Sequence, residues 1–335
     1  MESILITGAS GFIGSFIVEE ALNRKFSVWA GVRASSSREY LKNRKIHILE
    51  LDMAHPNTLR AQLSGYKGTH ARFDYIVHCA GVTKCLNKNN FERINYMQTR
   101  TFVEALRELN MIPKQFIFVS SLSVFGAIHE KKRIPITLTD IPHPNTAYGM
   151  SKLKAEIYLE SLPGFPYVIY RPTGVYGPRE HDYFLMCKSI SRHIDAAVGF
   201  RRQDLTFIYV KDVVRAIFLG MEQQICRRTY LLSDGQVYSS RTFSDLIRRE
   251  LGNPFVFRLR IPLFLLKVVS LLAEIRARIV GKPGTLNLDK YKIMKQRNWQ
   301  CDISQAESEL EYTPQYNLEA GIKETIAWYK EKEWL

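Results

Sequence analysis

The sequence predicts an α/β fold organised as a doubly wound parallel sheet, and three observations carry that expectation. A short apolar run, Ile4 to Thr7, leads directly into a turn punctuated by Gly8, Gly11 and Gly14. Four more apolar runs of strand length follow at 26–33, 46–52, 74–81 and 114–121, with helical spacing or loop between them. The composition is that of an ordinary globular chain: 335 residues, 46% hydrophobic and 24% charged, enough to bury a large core in one big or two smaller domains.

The first strand, turn and helix set the plan. Gly8 makes the tight turn, Gly11 lets backbone approach a diphosphate, and Gly14 lets the helix from Phe12 to Leu22 pack closely on the strand. That helix aims its unpaired N–H groups and positive dipole end at the phosphates. The spacing is Gly-x-x-Gly-x-x-Gly, opening on Thr7-Gly8 and closing on Gly11-Phe12-Ile13-Gly14. This variant resembles the short-chain dehydrogenase/reductase superfamily, and its ending resembles the extended branch that includes the NAD(P)-dependent epimerases and dehydratases. The resemblance implies a Rossmann-type sheet over residues 1–178 plus 203–222. It also implies a smaller C-terminal substrate-binding domain over 179–202 plus 223–335. Cofactor contacts are expected from Gly8, Ser10, Gly11, Phe12, Ile13 and Gly14.

The second strand, Phe26 to Arg33, ends where the cofactor is chosen. An acid there holds the ribose hydroxyl of NAD, whereas an arginine holds the 2′-phosphate of NADP. The first acid after the strand is Glu39, and Arg33, Ser35, Ser36, Ser37 and Arg38 precede it. NADP is therefore the expected cofactor, with NAD as the alternative. The third strand, Ile46 to Asp52, ends in an acid, and the resemblance carries adenine contacts onto Asp52 and Met53. The fourth, Asp74 to Gly81, has a small-residue exit, so Cys79, Ala80 and Gly81 are expected beside the cofactor. Asn95, in a helical stretch from Phe91 to Asn110, is carried over as a further contact.

The fifth strand, Lys114 to Ser121, runs into Leu122-Ser-Val-Phe-Gly126, close to the family's Ser-Ser-x-x-Val-Tyr-Gly with Phe125 in place of tyrosine. Pro142 and Pro144 then break the chain before Tyr148-Gly-Met-Ser-Lys152. Residues 167–178 read as the next strand and resemble the family's crossing motif. Arg171, Pro172, Thr173 and Val175 are thereby implied as cofactor contacts, with Ser120 from the strand before. Phe207 to Val214 resembles the segment that returns the chain to the cofactor domain. Beyond about residue 223, two helices are expected, Thr242 to Leu251 and Leu318 to Trp334. Ile261 to Leu272 is the most apolar run, and it is shorter than the roughly 20 residues of a membrane span.

Tyr148 and Lys152 are four apart, so one helix presents both on the same face. A tyrosine titrating near ~10 is a poor acid–base catalyst at neutral pH. A nearby ammonium, with the charge of an oxidised nicotinamide, stabilises the phenolate. Ser120, Ser121 and Ser123 all offer a hydroxyl to the substrate oxygen, and alignment to the family motif selects Ser121 as the catalytic one. Lys152 would also hold the nicotinamide ribose. Ser123 stands where sugar 4,6-dehydratases carry an acid, which disfavours elimination and leaves simple redox or redox-driven epimerisation.

Substrate identity is expected to lie outside these motifs. Thr83, Ser123, Tyr176, Tyr183, Arg201 and Arg202 are the expected substrate contacts, with Arg179 as a further cation for a nucleotide diphosphate and the segment around 259–272 capping the cleft. A small-molecule carbonyl compound, sterol-like or isoprenoid, competes with a nucleotide-sugar. The formal charge of +14 suits anionic ligands, and the chain carries no nucleic-acid-binding module, so no nucleic acid is expected. Five cysteines without metal-ligand spacing suit free thiols in a reducing cytoplasm, and no metal is expected. Glu2 stands where a secretory leader is positive, so no leader is expected. A homodimer is the expected assembly. Between Arg258 and Arg297 there are ten Lys/Arg and two acids, a net of +8. A buried substrate-domain helix with solvated basic faces is the favoured reading of that segment, and weak contact with a membrane surface is the alternative.

Overall fold

The protein is described by a computed structural model over residues 1–281 and 284–335. Strands β1 (Ser3–Thr7), β2 (Ser27–Val32), β3 (Ile46–Glu50), β4 (Tyr75–His78), β5 (Gln115–Val119) and β6 (Tyr167–Pro172) alternate with helices α1 (Phe12–Asn23), α2 (Pro56–Lys67), α3 (Asn89–Phe91), α4 (Gln98–Glu108) and α5 (Ala147–Ser161). Then come β7 (Gly174–Tyr176), α6 (His181–Ser191), β8 (Ile194–Val198), β9 (Asp204–Leu205), β10 (Phe207–Tyr209), α7 (Val210–Glu222) and β11 (Arg228–Leu232). The last third holds β12 (Tyr238–Ser239), α8 (Thr242–Glu250), β13 (Phe257–Ile261), α9 (Leu263–Val280), α10 (Leu288–Lys295), α11 (Ser304–Leu310) and α12 (Leu318–Glu331).

Seven of these strands form one parallel sheet in the order β11-β6-β5-β4-β1-β2-β3. The central strands are apolar on both faces because helices cover both; β4 and β5 are buried at every position. One face packs on α1 and α7 through Ile17, Val18, Val213 and Ile217. The other packs on α2, α4 and α5 through Leu59, Leu63, Phe102, Leu106 and Leu159. The chain builds outward from β1 to β3, then crosses back to place β4 on the other side of β1. That reversal opens a crevice at the C-terminal ends of β1 and β4, where α/β sheets take their ligands. A separate cluster, Tyr176, Phe207, Phe243, Ile322 and Tyr329, holds α6, α8 and α12 together.

Three expectations need correction. The run 167–178 is two strands: β6 stays in the sheet, and the chain turns at Thr173 so that β7 pairs with β10. The sheet does not end at residue 222, because β11 hydrogen-bonds alongside β6 as its outermost strand. The third concerns the apolar run. Helix α9 buries only Leu266 and Ser270, leaving Phe264 73% and Ile279 81% exposed. It lies on the surface against α10 and contributes no side chain to the third cluster. Among the described residues no helix is long and apolar enough to cross a membrane.

Candidate active site

The crevice begins at the glycine turn. Gly8 has φ +68°, and a Cβ there would lie 2.8 Å from the Ala80 nitrogen; one on Gly14 would lie 2.2 Å from the Gly8 carbonyl oxygen. The turn closes through Gly11 N–H to Gly8 O at 2.9 Å, and among the described residues no side chain caps the start of α1. Bare N–H groups at a helix N-terminus beside a backbone that tolerates no side chain form a seat for a diphosphate. Ser120 adds a second sign: it is 3% exposed, and its hydroxyl has no partner among the described residues. An orphaned buried hydroxyl at a sheet end normally waits for a ligand or water. The residues present therefore fit a dinucleotide.

Beyond β2, Arg33 and Ser35 are exposed, and the Ser36 hydroxyl accepts from Arg33 N at 3.1 Å, which closes the turn. Arg38 is drawn to Glu50 at 3.1 Å, whereas the Arg33 guanidinium has no acid among the described residues. Asp52 faces His55, whose Nδ1 lies 2.8 Å away, and accepts from Ala54 N. These bonds hold its carboxyl below the usual carboxylate range, with the His55 contact the strongest influence, so Asp52 shapes the entry to α2. Met53 packs against the apolar layer beneath α2.

Two buried residues position the β4 exit. His78, absent from the expected site residues, bridges Thr7 Oγ1 at 2.8 Å and Thr99 Oγ1 at 2.9 Å, tying β1 to α4 through β4. Burial, helped by the Lys152 charge, pushes its pKa down to about 3, so it stands neutral. Asn95 sits in a π-helical turn, Glu92–Met97, between α3 and α4. Its amide accepts from Val82 N at 2.8 Å and donates to Val82 O and Ser151 Oγ at 3.0 Å. The bonds of Asn95, which the resemblance implies as a cofactor contact, fix the 80–82 loop against α5. A π-turn at such a place is a common mark of a functional site.

Helix α5 brings the reactive side chains together. Thr146 caps it, accepting from Gly149 N at 3.0 Å, and the two prolines upstream keep the approach extended. Tyr148 emerges one residue into the helix, near enough to Ser121 at the end of β5 for that hydroxyl to act on its phenol. Burial pushes its phenol up to about 12, Ser121 pulls it down, and Glu156 adds to the rise. Ser121 Oγ lies 3.1 Å from Ser123 Oγ and accepts from Ser123 N, so the two serines form one hydrogen-bonded pair. One turn on, Lys152 is 4% exposed, with Nζ donating to Val119 O at 2.8 Å over the Phe118 ring. Burial lowers its pKa to about 8, against the opposing pull of Cys79 and Glu156. Lys152 Nζ is also 3.6 Å from where a Gly81 Cβ would stand, so the lysine lies at the crevice wall. The Cys79 thiol beside it is held up at about 12 by burial and is inert as a nucleophile at neutral pH.

Several expected contacts face elsewhere. Arg171, implied as a cofactor contact, is buried against Glu156 with Nη2 to Oε2 at 2.8 Å, joining β6 to α5. Thr173 bonds Thr206 at 2.9 Å, and Val175 packs on the first apolar layer. Pro172 ends β6 beside them, paired in register with Leu232. Tyr176 is 1% exposed and sends its hydroxyl to Asn317 O, so it belongs to the third cluster and not to a substrate cleft. Arg179 bonds Ser15 and Glu19 and stacks on Phe16 and Tyr40, which removes it as a diphosphate clamp. Arg202 pairs with Asp204 at 2.7 Å. The causes differ: Arg171 and Pro172 are fixed within β6 by its pairing with β11 and by Glu156, while the turn at Thr173 sends Val175 and Tyr176 toward β10.

What remains around the cleft is informative. Thr83 is exposed at the loop after β4. Its neighbour Lys84 pairs with Asp182 at the start of α6, and Lys290 of α10 reaches the same carboxylate at 3.1 Å. Asp289 accepts from Ala147 N at 2.9 Å and Lys292 donates to Asn145 O at 2.8 Å, so α10 rests on the entry to α5. No sequence signal marked this set, because its members lie in four separate segments. Tyr183 stacks on Phe243 with ring centroids 4.8 Å apart. Arg201 lines a cavity of about 280 Å³ with Phe200, Pro262, Leu263, Phe264 and Arg297. The N-terminal end of α9 faces the 198–203 loop across this cavity, whose lining does not include Ser121, Tyr148 or Lys152.

Similarity to known proteins agrees with this geometry. An uncharacterised UDP-glucose epimerase of Bacillus subtilis (strain 168) is 28% identical over 347 residues, covering 97% of each chain. A decarboxylating sterol-4-alpha-carboxylate 3-dehydrogenase of Dictyostelium discoideum is 23% identical over 343 residues, covering 97% of this chain and all of its own. The crystal structure of a Thermotoga maritima UDP-glucose 4-epimerase with UDP-glucose superposes with a TM-score of 0.78 at 22% identity, covering 99% of both chains. The profile of the NAD dependent epimerase/dehydratase family matches residues 4–232. A match running from β1 through β11 makes this chain a member of that family, an NAD(P)-dependent enzyme of the extended short-chain dehydrogenase/reductase type.

Proposed function

We propose that the chain binds NADP(H) across the β1–β4 crevice and interconverts a carbonyl and an alcohol on a substrate with a largely apolar body. The α1 N-terminus and the Gly8–Gly14 turn would seat the diphosphate, Ser120 and Lys152 the nicotinamide end, and Arg33 with Ser35 the 2′-phosphate. The bound nicotinamide supplies or accepts the hydride. In the reducing direction Tyr148 gives its phenol proton to the substrate oxygen while Ser121 donates a hydrogen bond to that oxygen as charge grows on it. Lys152, one turn away, stabilises the phenolate left behind. What supports this reading is Tyr148 within reach of Ser121 and one turn from Lys152, beside the glycine-lined crevice. Preference for NADP over the NAD of the family's description rests on Arg33, the first cation after β2 and one with no acid among the described residues.

The apolar substrate is favoured over a nucleotide-sugar because Arg179 and Arg202 are engaged with Glu19 and Asp204, leaving Arg201 beside a mostly apolar cavity. Nucleotide-sugar epimerisation by the same site is the second reading, supported by the activities named for the Bacillus and Thermotoga relatives. A thermal-shift panel separates the two in the presence of saturating NADP. Apolar ketones or sterols should stabilise the protein further, and UDP-sugars should not; the reverse pattern overturns the apolar reading.

The reading includes a division of labour, with 1–178, 203–222 and the returning strand β11 serving the cofactor and the remainder the substrate. It also includes a homodimer in the cytoplasm. Met150 and Ile157, two turns apart on one side of α5, are 42% and 55% exposed and support a self-contact there. The five cysteines, free among the described residues, suit a reducing compartment.

A further inference from the structure

The largest unexplained feature is the outer face of α9. Phe264, Val268, Leu272, Ile275 and Ile279 follow at spacings of four and three, so they form one stripe along the helix. All are between 45% and 81% exposed. The strand that leads into the helix adds Phe257 and Leu259, which are 61% and 51% exposed. A contiguous apolar surface of this extent marks a contact site on a folded protein.

The charges around the stripe say what kind of contact. At 100° per residue, Lys267 and Arg278 border one edge of the apolar arc and Arg276 lies toward the other, while the single acid, Glu274, faces inward and accepts from Leu288 N. Arg260, Lys267 and Arg276 are exposed and have no acidic partner among the described residues. Long basic side chains beside an apolar helical face are the pattern of a helix lying in a bilayer interface, where the cations reach anionic headgroups and the apolar residues enter the acyl boundary. A second copy of the chain fits poorly, because a two-fold contact through this face would bring the same unpaired cations against each other.

We propose that the β13–α9 face docks on the surface of an anionic lipid bilayer, with α9 lying parallel to it. The cavity lined by Leu263, Phe264 and Arg201 opens at the N-terminal end of this same helix. Docking would therefore turn the mouth of that cavity toward the lipid, which suits an apolar substrate partitioned in the bilayer. The docking stands on the surface alone and does not depend on the catalytic reading.

The test is flotation of the full chain with vesicles of phosphatidylcholine, with and without about a third phosphatidylglycerol. Binding is expected only with the anionic lipid and should weaken with salt. Each of K267E and R276E should weaken it at least about fivefold, as for loss of one surface cation. Phe264→Asp combined with Ile275→Asp should abolish it. All variants should keep the wild-type thermal shift with NADP, which shows that they remain folded. Equal binding to neutral vesicles, no binding at all, or unchanged binding by the double variant overturns the proposal. So does a finding that the double variant instead converts a dimer to a monomer in sedimentation velocity, because the face is then a contact between copies.

Discussion

Tyr148 is held in an environment where burial raises its pKa to about 12, so the phenol keeps its proton at neutral pH. Tyr148→Phe removes the transferable proton and nothing that touches the diphosphate seat. Turnover with an identified substrate should fall by on the order of 10²-fold or more, while NADP(H) affinity by calorimetry stays within about twofold of the unmodified protein. Arg33→Asp acts on the other end of the cofactor and should invert the preference, weakening NADP(H) and strengthening NAD(H), again by calorimetry. Buried His78 sets a pH dependence of stability. Its folded pKa is about 3, well below the value near 6.5 of an unfolded chain. Between those values the unfolded state takes up a proton that the folded state refuses, so stability is lost as pH falls below about 6.5. From pH 7 to pH 5 the free energy of unfolding in urea should drop by roughly 2 kcal/mol more in the unmodified protein than in His78→Gln.

At the scale of elements, the decisive contact is the first turn of α5 on the serine-bearing turn after β5. A Cβ on Gly149 would stand 2.4 Å from the Ser123 carbonyl oxygen, which is backbone and has little room to move. Gly149→Ala should therefore push α5 outward and carry Tyr148 away from Ser121. A shift of about 1 Å at a catalytic group costs on the order of 10²-fold in rate. The expected outcome is a folded protein with normal cofactor binding, a much reduced kcat and little change in KM; an unaltered kcat would mean that the turn yields instead. The Arg171–Glu156 pair fixes the same helix from behind. It was legible in the sequence only as an arginine of the crossing motif, and its acid partner on α5 gave no signal at all.

For the whole molecule, two exposed apolar surfaces have to be told apart. Met150 and Ile157 lie on α5, which packs on the parallel sheet, whereas the α9 face belongs to the β13–α9 segment outside that sheet. If α5 forms the dimer, Ile157→Lys should shift the sedimentation coefficient from dimer to monomer and leave vesicle flotation unchanged. A dimer that survives Ile157→Lys would place the self-contact elsewhere.

The sequence by itself determined the sheet, the glycine turn and the Tyr148–Lys152 spacing. Those features are local: a strand's apolar run, a turn's need for glycine and two side chains one helical turn apart are all written in neighbouring residues. It also fixed the family, because the motifs sit at the chain positions where β1, β4, β5 and α5 begin or end. The direction of Tyr176 was decided only in three dimensions, since the change of course at Thr173 sends it into a core with α12, and Arg171 faces Glu156 because a distant helix brings that acid to it. The cluster around Asp182 and the neutral His78 depend on partners from distant segments, which no window of sequence contains. The exposure of α9 is the plainest case. Its composition is that of a core helix, and only the exposure of its outer face among the described residues, a property of the assembled fold, makes it a surface.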